Sequence, residues 1–335
     1  MIEELPKFSF FIPVYNEENR IARCIGSILK QDYPKEKIEI LVVDGGSTDK
    51  TKEIASQFEC VRVFDNPKKL ADFGAKISIA NATGDLFVIF AADNELSSPD
   101  WLLTIAKLFI ADNGLCTAWC RLGASSEDPG INKYYALIQN DPLSFFMNKN
   151  MQYYQTKGDV RYINGKKCYF FSVDSRRPLV WGANGLVYKT ALVREIVIQE
   201  GFIADNDVFQ TLIENGYNKA AYVPDLIVLH HHVKTLRQWI KKWQRDFGIH
   251  FLKYYTSRNM GWAFDADFKR KLTVWILYVI IFPFVIIHSV YLVLRDRNIY
   301  WIYHPLASFL QMSTYAFLSL GTASGRAMIR KQFLK

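Results

Sequence analysis

Four carboxylates stand where a folded chain could gather them for catalysis. Asp44 follows the apolar run ILVV, Asp93 and Glu95 follow FVIFAA, and Asp205 lies in FIADND ahead of a helical pattern. Asp93 and Glu95, two residues apart just beyond a strand, can both turn toward one cation. Hard ions such as Mg2+ and Mn2+ take carboxylates together with substrate phosphate oxygens. The plainer reading of any one of these acids is a helix cap or a turn, and Asp49 in STDKT is read that way. His230, His231 and His232 follow the last apolar run, and alternation along a strand allows at most two of them on one face. His230 has two readings, a metal or diphosphate contact or ordinary packing. The sequence lacks G-x-x-x-x-G-K-[ST], G-x-S-x-G, and a G-x-G-x-x-G after its first strand. ATPase, serine-hydrolase and dinucleotide chemistry are therefore not indicated.

The elements that must position these residues alternate in period through residue 112. Short apolar runs at Phe8–Pro13, Ile38–Asp44, Val61–Phe64 and Leu86–Ala92 predict strands. Helical spacing over Glu18–Gln31, Ser47–Phe58, Leu70–Ala82 and Pro99–Ala111 separates them. Strand-helix alternation of this kind predicts an α/β fold with a mostly parallel sheet between helices. Ligands of such sheets bind at the C-terminal ends of the strands, where Pro13, Asp44 and Asp93 stand. Residues 113–180 are irregular and rich in Tyr, Phe and Asn, as expected of an elaboration around a site. Regular pattern returns with WGANGLVYKT, a helix near Ala191–Gln199, a second ending at Gly216, and the last strand AYVPDLIVL.

Charge divides the chain. Residues 1–230 carry 25 Lys and Arg against 29 Asp and Glu, whereas residues 231–335 carry 16 against 4. A net charge of +8 placed this way argues for a membrane surface as partner and against nucleic acid. The five cysteines form no C-x-x-C pair, so neither a disulfide framework nor structural zinc is expected. The N-terminus, with two acids ahead of any apolar run, does not read as a signal peptide. Leu272–Leu294 holds 23 residues without Asp, Glu, Lys or Arg, and Ile299–Leu320 holds 22. The first is predicted to span a membrane; the second is predicted to span or to re-enter. Basic residues before and after the pair place both flanks in the cytoplasm and the turn outside. Between the globular part and these segments, residues 234–271 form a basic amphipathic stretch. Trp239, Trp243, Phe247, Phe251 and Tyr255 recur every four residues along it. That stripe either lies among lipid headgroups or packs on the catalytic part.

FSFFIPVYNEENRIARCIGSILKQ, IEILVVDGGSTDKT and GDLFVIFAADNELSSPDWL resemble the nucleotide-sugar half of glycosyltransferase family 2. WGANGLVYKT, ADND and GYNKAAYVPDLIVLHHH resemble its acceptor half, so the likeness covers about residues 6–235 in order. The resemblance implies a GT-A fold, a divalent metal (Mg2+ or Mn2+) and inversion at the anomeric carbon. It implies that Pro13, Tyr15, Asn16 and Glu17 line the nucleotide of a UDP- or GDP-sugar and that Asp44 contacts base or ribose. Lys76 and Asp93 are counted with these donor contacts. Asp93 matches the family's metal-binding acid, Glu95 a further metal ligand of some members, and Asp205 the catalytic base. Trp181, Gly182, Asn184 and Gly185 are assigned to the sugar and acceptor. The chain departs from the family at Ala91, where the first acid of Asp-x-Asp is missing, and at Trp239, where processive synthases have Gln.

The expected organisation is a GT-A catalytic domain over 1–233, with a donor half to 112 and an acceptor half beyond. A basic interface segment over 234–271, helices over 272–294 and 299–320 and a basic tail over 321–335 complete it. The expected activity is metal-dependent hexosyl or N-acetylhexosaminyl transfer from a nucleotide-sugar to a hydroxyl of a lipid-linked acceptor. It would take place on the cytoplasmic side of a membrane, with membrane lipids as partners. The alternatives are a polyprenyl phosphate as acceptor, or a sugar-nucleotide-binding scaffold whose site has decayed.

Overall fold

Continuous apolar runs become strands buried on both faces. FSFFIPV forms β1 (Phe8–Val14) and IEILVVD forms β2 (Ile38–Asp44), every residue of which is buried. The computed structural model describes residues 4–147, 150–177, 179, 184–197, 205–253 and 266–333. The chain forms two compact units, Met1–Gly123 with Asn150–His230 and Ala124–Lys149 with His231–Lys335.

The first unit is one ten-stranded sheet with helices. Its other strands are β3 (Val61–Asp65), β4 (Leu86–Ile89), β5 (Asn94–Leu96), β6 (Thr117–Gly123), β7 (Asp159–Ile163), β8 (Lys166–Ser172), β9 (Leu186–Lys189) and β10 (Lys219–His230). The order is β3-β2-β1-β4-β9-β6-β10-β8-β7, with β5 paired to β10. The expected mostly parallel sheet is thus corrected to a mixed one. β3, β2, β1 and β4 are mutually parallel, and so are β6 and β10, but β9 runs antiparallel between β4 and β6. Helices are numbered in chain order through both units. α1 (Ile21–Leu29) buries Ile21, Cys24, Ile25 and Ile28, the spacing of one helical face. α2 (Thr51–Ala55), α3 (Ala71–Asn81) and α4 (Trp101–Ala111) follow in the donor half. In the second unit lie α5 (Gly130–Ile138) and α6 (Pro142–Met147); the first resumes with α7 (Asn150–Lys157), α8 (Thr190–Leu192) and α9 (Asp205–Glu214).

Two local features aim the site. Pro13 lies in an inner strand, where a missing N–H would ordinarily cost a ladder bond. The β1–β4 pairing stops at Phe11↔Ile89, and the Phe11 carbonyl accepts from Phe90 N. Pro13, two residues on, therefore turns its missing donor to the side where β4 has already ended. In β10 the register shifts between Val223 and Ile227, around Pro224. Such a bulge bends and re-aims a strand, and beyond it Val228–His230 pairs with β5.

The opposite edge of the sheet is tied by a buried acid. Glu39 accepts from the Ser9 hydroxyl, Thr83 N and Gly84 N, and Arg62 stands 3.5 Å away. Burial raises the Glu39 carboxyl, but the hydrogen bonds from Ser9 and Thr83 outweigh it and hold the group below its ordinary value. A depressed carboxyl stabilises the fold above its unfolded pKa and loses that contribution as pH falls through the folded value. Glu39→Ala should therefore cost about 1–3 kcal/mol at neutral pH, because buried donors lose their acceptor. Urea unfolding of wild type and variant should differ at pH 7 and converge in acid.

The second unit is helical: α5, α6, α10 (Leu236–Arg245), α11 (Ala266–Ile280), α12 (Phe282–Asp296), α13 (His304–Gly321) and α14 (Ala323–Phe333). Thr235 caps α10, its hydroxyl accepting from Gln238 N. The aromatic stripe turns inward within this unit. Trp239 and Trp243 are buried, Trp239 meets Tyr134 and Tyr135 edge-on, and Phe247 stacks on Tyr315. Trp239 thus packs on residues of the expected acceptor half and Phe247 on α13; Tyr255 lies outside the described residues. The segment 272–294, expected as one span, breaks after Ile280, and the helices on either side meet at 92°. Pro283, in the first turn of α12, is the cause: it has no N–H for the carbonyl four residues earlier, and the chain leaves helical geometry at Ile281 (ψ 71°). Ile299–Tyr303 is a 3-10 turn ahead of α13. Among the described residues no single helix is long and apolar enough to cross a membrane, although the bent pair passes by length and composition.

Candidate active site

The C-terminal ends of β1 and β2 carry two loops that lock together. Asn16 takes φ +56°, a conformation Asn tolerates, and its Oδ1 accepts from Thr48 N at 2.8 Å. Asn16 N donates to the Ser47 hydroxyl at 2.9 Å, and Glu17 N to the Thr51 hydroxyl at 2.8 Å. Asp44 closes the second loop on itself, its carboxylate accepting from Gly46 N, Ser47 N and the Ser47 hydroxyl. It is 2% exposed. Asp49 bonds Thr51 N and the Thr51 hydroxyl at the start of α2, the turn role expected of it. Tyr15 is more than half exposed beside these loops, and Lys76 is half-buried on α3.

Beyond β4 the chain turns through Ala91–Asp93 into β5. Antiparallel pairing sets Asn94 opposite His230, and Asp93 Oδ1 lies 3.3 Å from His230 Nε2. His230 is buried and Asp93 nearly so. Asn184 bridges the other side: its Oδ1 accepts from Asn94 Nδ2 at 2.8 Å, and its Nδ2 lies 3.4 Å from His230 Nδ1. Asn94 Oδ1 is buried without a hydrogen-bond partner. Gly185, at φ +76°, brings β9 in close; a Cβ there would stand 2.8 Å from Val228 Cγ2.

Glu95 pairs with Arg23 of α1 at 2.5 Å, and Glu17 with Arg20 at 3.2 Å. The acids converge all the same. Burial first, then the charges of Asp93, Glu95 and Glu17, push the Cys24 thiol far above its ordinary value. Asp205 opens α9, but its side chain, like Trp181 and Gly182, lies outside the described residues. Sequence reasoning missed Arg23 and Asn94. Asn94 carries no local signal, because its place opposite His230 comes from the non-local pairing of β5 with β10.

The structure thus brings Asp93, His230 and Asn184 together, with Glu95 adjoining through Arg23. Pro13, Tyr15, Glu17 and Asp44 gather at the ends of β1 and β2. Such an arrangement can hold a divalent ion at one end of a cleft edge and a nucleotide at the other.

Comparison with known proteins agrees with this layout. The family described as Glycosyl transferase family 2 matches residues 9–174. A curated relative from Methanococcus voltae is 26% identical over 321 residues, 90% of this chain and 92% of the relative. It is the dolichyl N-acetyl-α-D-glucosaminyl phosphate 3-β-D-2,3-diacetamido-2,3-dideoxy-β-D-glucuronosyltransferase. Glycosyltransferase AglE of Haloferax volcanii is 52% identical over 66 residues, 20% of this chain and 21% of that protein. The solved mannosyltransferase PcManGT from Pyrobaculum calidifontis, in complex with GDP-Man and Mn2+, superposes with a TM-score of 0.51. It is 17% identical and aligns with 98% of this chain and 80% of its own, a likeness of fold. With the ordered motifs, the GT-A-like mixed sheet and these matches, the chain belongs to glycosyltransferase family 2.

Proposed function

We propose that this protein is an inverting glycosyltransferase that moves a sugar from a UDP- or GDP-sugar to a hydroxyl of a lipid-linked glycan at the cytoplasmic face of a membrane. The observation that carries the reading is the Asp93–His230 pair beside the strand ends of the parallel half. A carboxylate oxygen and an imidazole nitrogen 3.3 Å apart suit adjacent ligands of one Mn2+-like ion, since bonds of about 2.1 Å at a right angle put ligand atoms about 3.0 Å apart. Held neutral with its proton on Nδ1, His230 would present its Nε2 lone pair to the ion. When bound, the ion supplies positive charge against the diphosphate as it leaves.

The chain's own residues would do the rest. Tyr15, Pro13 and Glu17 line the nucleotide, and Asp44 keeps the Gly45–Ser47 turn closed against it. Lys76 is retained as a donor contact. Asn184 and Gly185 would face the sugar and acceptor, and Trp181 and Gly182 are proposed as contacts to the same groups. Asp205 takes the proton of the acceptor hydroxyl as its oxygen bonds the anomeric carbon from the face opposite the diphosphate. The bond from that carbon to the phosphate oxygen breaks, and its electron pair leaves with the nucleoside diphosphate. Glu95, as a further ligand, would first have to leave Arg23.

The name of the Methanococcus voltae relative describes a 3-β transfer on a dolichyl-linked sugar, which favours a hydroxyl over a bare polyprenyl phosphate. The test is a panel of UDP- and GDP-sugars with two acceptors, a polyprenyl phosphate and the same lipid already carrying one sugar. Transfer to the glycosylated lipid alone is expected. Transfer to the bare phosphate alone would move the reaction to that acceptor. Donor binding with neither transfer nor hydrolysis would make the protein a scaffold.

A further inference from the structure

The second unit buries an apolar core, with Trp239, Trp275, Val285, Leu292 and Trp301 in it, and a polar row beside that core. Along α13 the buried residues are Ala307 and four polar ones, His304, Ser308, Gln311 and Thr314, spaced along one helical face. Their bonds stay within the unit. His304 meets the Tyr134 hydroxyl at 2.7 Å and the Tyr278 hydroxyl at 3.1 Å, and Gln311 Oε1 accepts from Leu143 N. Val279, Val285 and Leu292 point in, but many large apolar side chains of these helices point out. Leu306, Phe309, Phe317 and Leu320 of α13 are exposed, and so are Ile280, Ile281, Phe282, Phe284, Ile287 and Leu294 around the α11–α12 break. An apolar face of this extent on a protein surface marks a lipid or protein contact. Charge selects lipid. Lys269, Arg270 and Lys271 precede the apolar part of α11, Arg295 and Arg297 follow α12, and Arg326, Arg330 and Lys331 lie on α14. Basic clusters at the borders of an apolar crest match anionic headgroups over acyl chains.

The crest is too short to cross. The uncharged part of α11, Leu272–Ile280, and that of α12, Phe282–Leu294, hold nine and thirteen residues. At 1.5 Å per residue these are about 13 and 20 Å long. Joined at 92°, they reach about 24 Å from end to end, short of a hydrocarbon core of about 30 Å. A straight helix of the same 23 residues would reach about 34 Å.

The turn after α12 also lies beside the point where the chain comes into the unit. Tyr134 of α5 holds both: its ring centroid is 6.0 Å from that of Trp239 on α10, 6.0 Å from Trp301 and 6.2 Å from Tyr303. The start of the same helix and the turn before it receive the chain as it leaves β10. Val233 N donates to Asn132 Oδ1 at 3.0 Å, and His231 meets Asp128 at 2.9 Å. A membrane-crossing hairpin would separate the 295–303 turn from residues 231–239 by the whole hydrocarbon layer.

We infer that the α11–α13 unit is a monotopic insertion: it enters one leaflet of an anionic bilayer and returns, leaving the Arg295–Arg297 turn on the side from which the chain arrives. This rests on the membrane association proposed above and replaces the expected placement of that turn outside. The test labels single cysteines with a membrane-impermeant maleimide in sealed vesicles of one orientation, in a Cys60→Ser background whose other cysteines are buried. Lys234→Cys reports the arriving chain, Arg297→Cys the turn and Ile281→Cys the crest. Lys234→Cys and Arg297→Cys should label fully from the same side, with no gain on permeabilisation. Ile281→Cys should label only after detergent. Labelling of Arg297→Cys only from the side opposite Lys234→Cys would overturn the topology and leave membrane association intact. Full-length protein that stays in the supernatant of anionic vesicles, with Ile281→Cys protected as in a dimer, would overturn both.

Discussion

Asp93→Ala is expected to lower sugar transfer about 10²–10⁴-fold, the several kcal/mol that a bound cation contributes to a leaving diphosphate. The same change should abolish the Mn2+-dependent tightening of nucleoside diphosphate binding, read by titration calorimetry with and without chelator. Glu95→Ala should weaken both effects less, because the Glu95 carboxylate already serves Arg23 at 2.5 Å. His230→Ala should weaken metal binding while removing the contact that holds Asp93 from β10. The Ala at position 91 leaves Asp93 as the acid of this turn, so no neighbouring carboxylate of the Asp-x-Asp kind can substitute for it. Full wild-type activity in excess chelator would take the metal out of the reaction, and Asp93 with it.

The second large effect separates the two acceptor chemistries through Asp205. An acceptor hydroxyl keeps its proton near neutrality and needs a base within reach; losing one typically costs about 10²–10⁴-fold in rate. A phosphate acceptor is already ionised, with a second pKa of about 6, and a nearby carboxylate only repels it. Asp205→Asn keeps the size and removes the charge. With a hydroxyl acceptor, kcat should fall steeply while donor affinity holds, the mark of an interaction made in the transition state. With a polyprenyl phosphate, activity should hold or rise. Rate against pH for both proteins is the measurement, and coincident profiles would remove Asp205 from the chemistry.

The donor half was legible because its elements declare themselves locally. IEILVVD is apolar throughout and is buried throughout, and Ile21, Cys24, Ile25 and Ile28 repeat with helical period and share one buried face. What escaped was non-local. No window of sequence joins residues 94–96 to 228–230, yet that antiparallel pairing delivers His230 to Asp93. Nor could spacing reveal that Arg23, on the exposed flank of α1, would take Glu95. β9 reads as an ordinary strand, and its antiparallel insertion between β4 and β6 is decided by packing. The C-terminal segments were legible in composition and not in geometry. Twenty-three uncharged residues measure length, whereas Pro283 sets direction, and the gathering of residues 124–149 with the last third depends on contacts such as Tyr134 with His304.

The loops at the ends of β1 and β2 are fastened to each other by short side chains and main-chain donors, Asn16 to Ser47 and Thr48 and Glu17 to Thr51, and the second is closed on itself by Asp44 and Ser47. A wall that orders only around its ligand costs affinity, about 0.5–1.5 kcal/mol for each immobilised side chain. Here the ordering is a cost of folding, so a nucleotide meets a surface already rigid. Its binding should then carry little entropy of loop closure. A truncated donor, such as the nucleoside diphosphate without its sugar, should lose only the contacts of the missing part and not the shape of the wall that receives it.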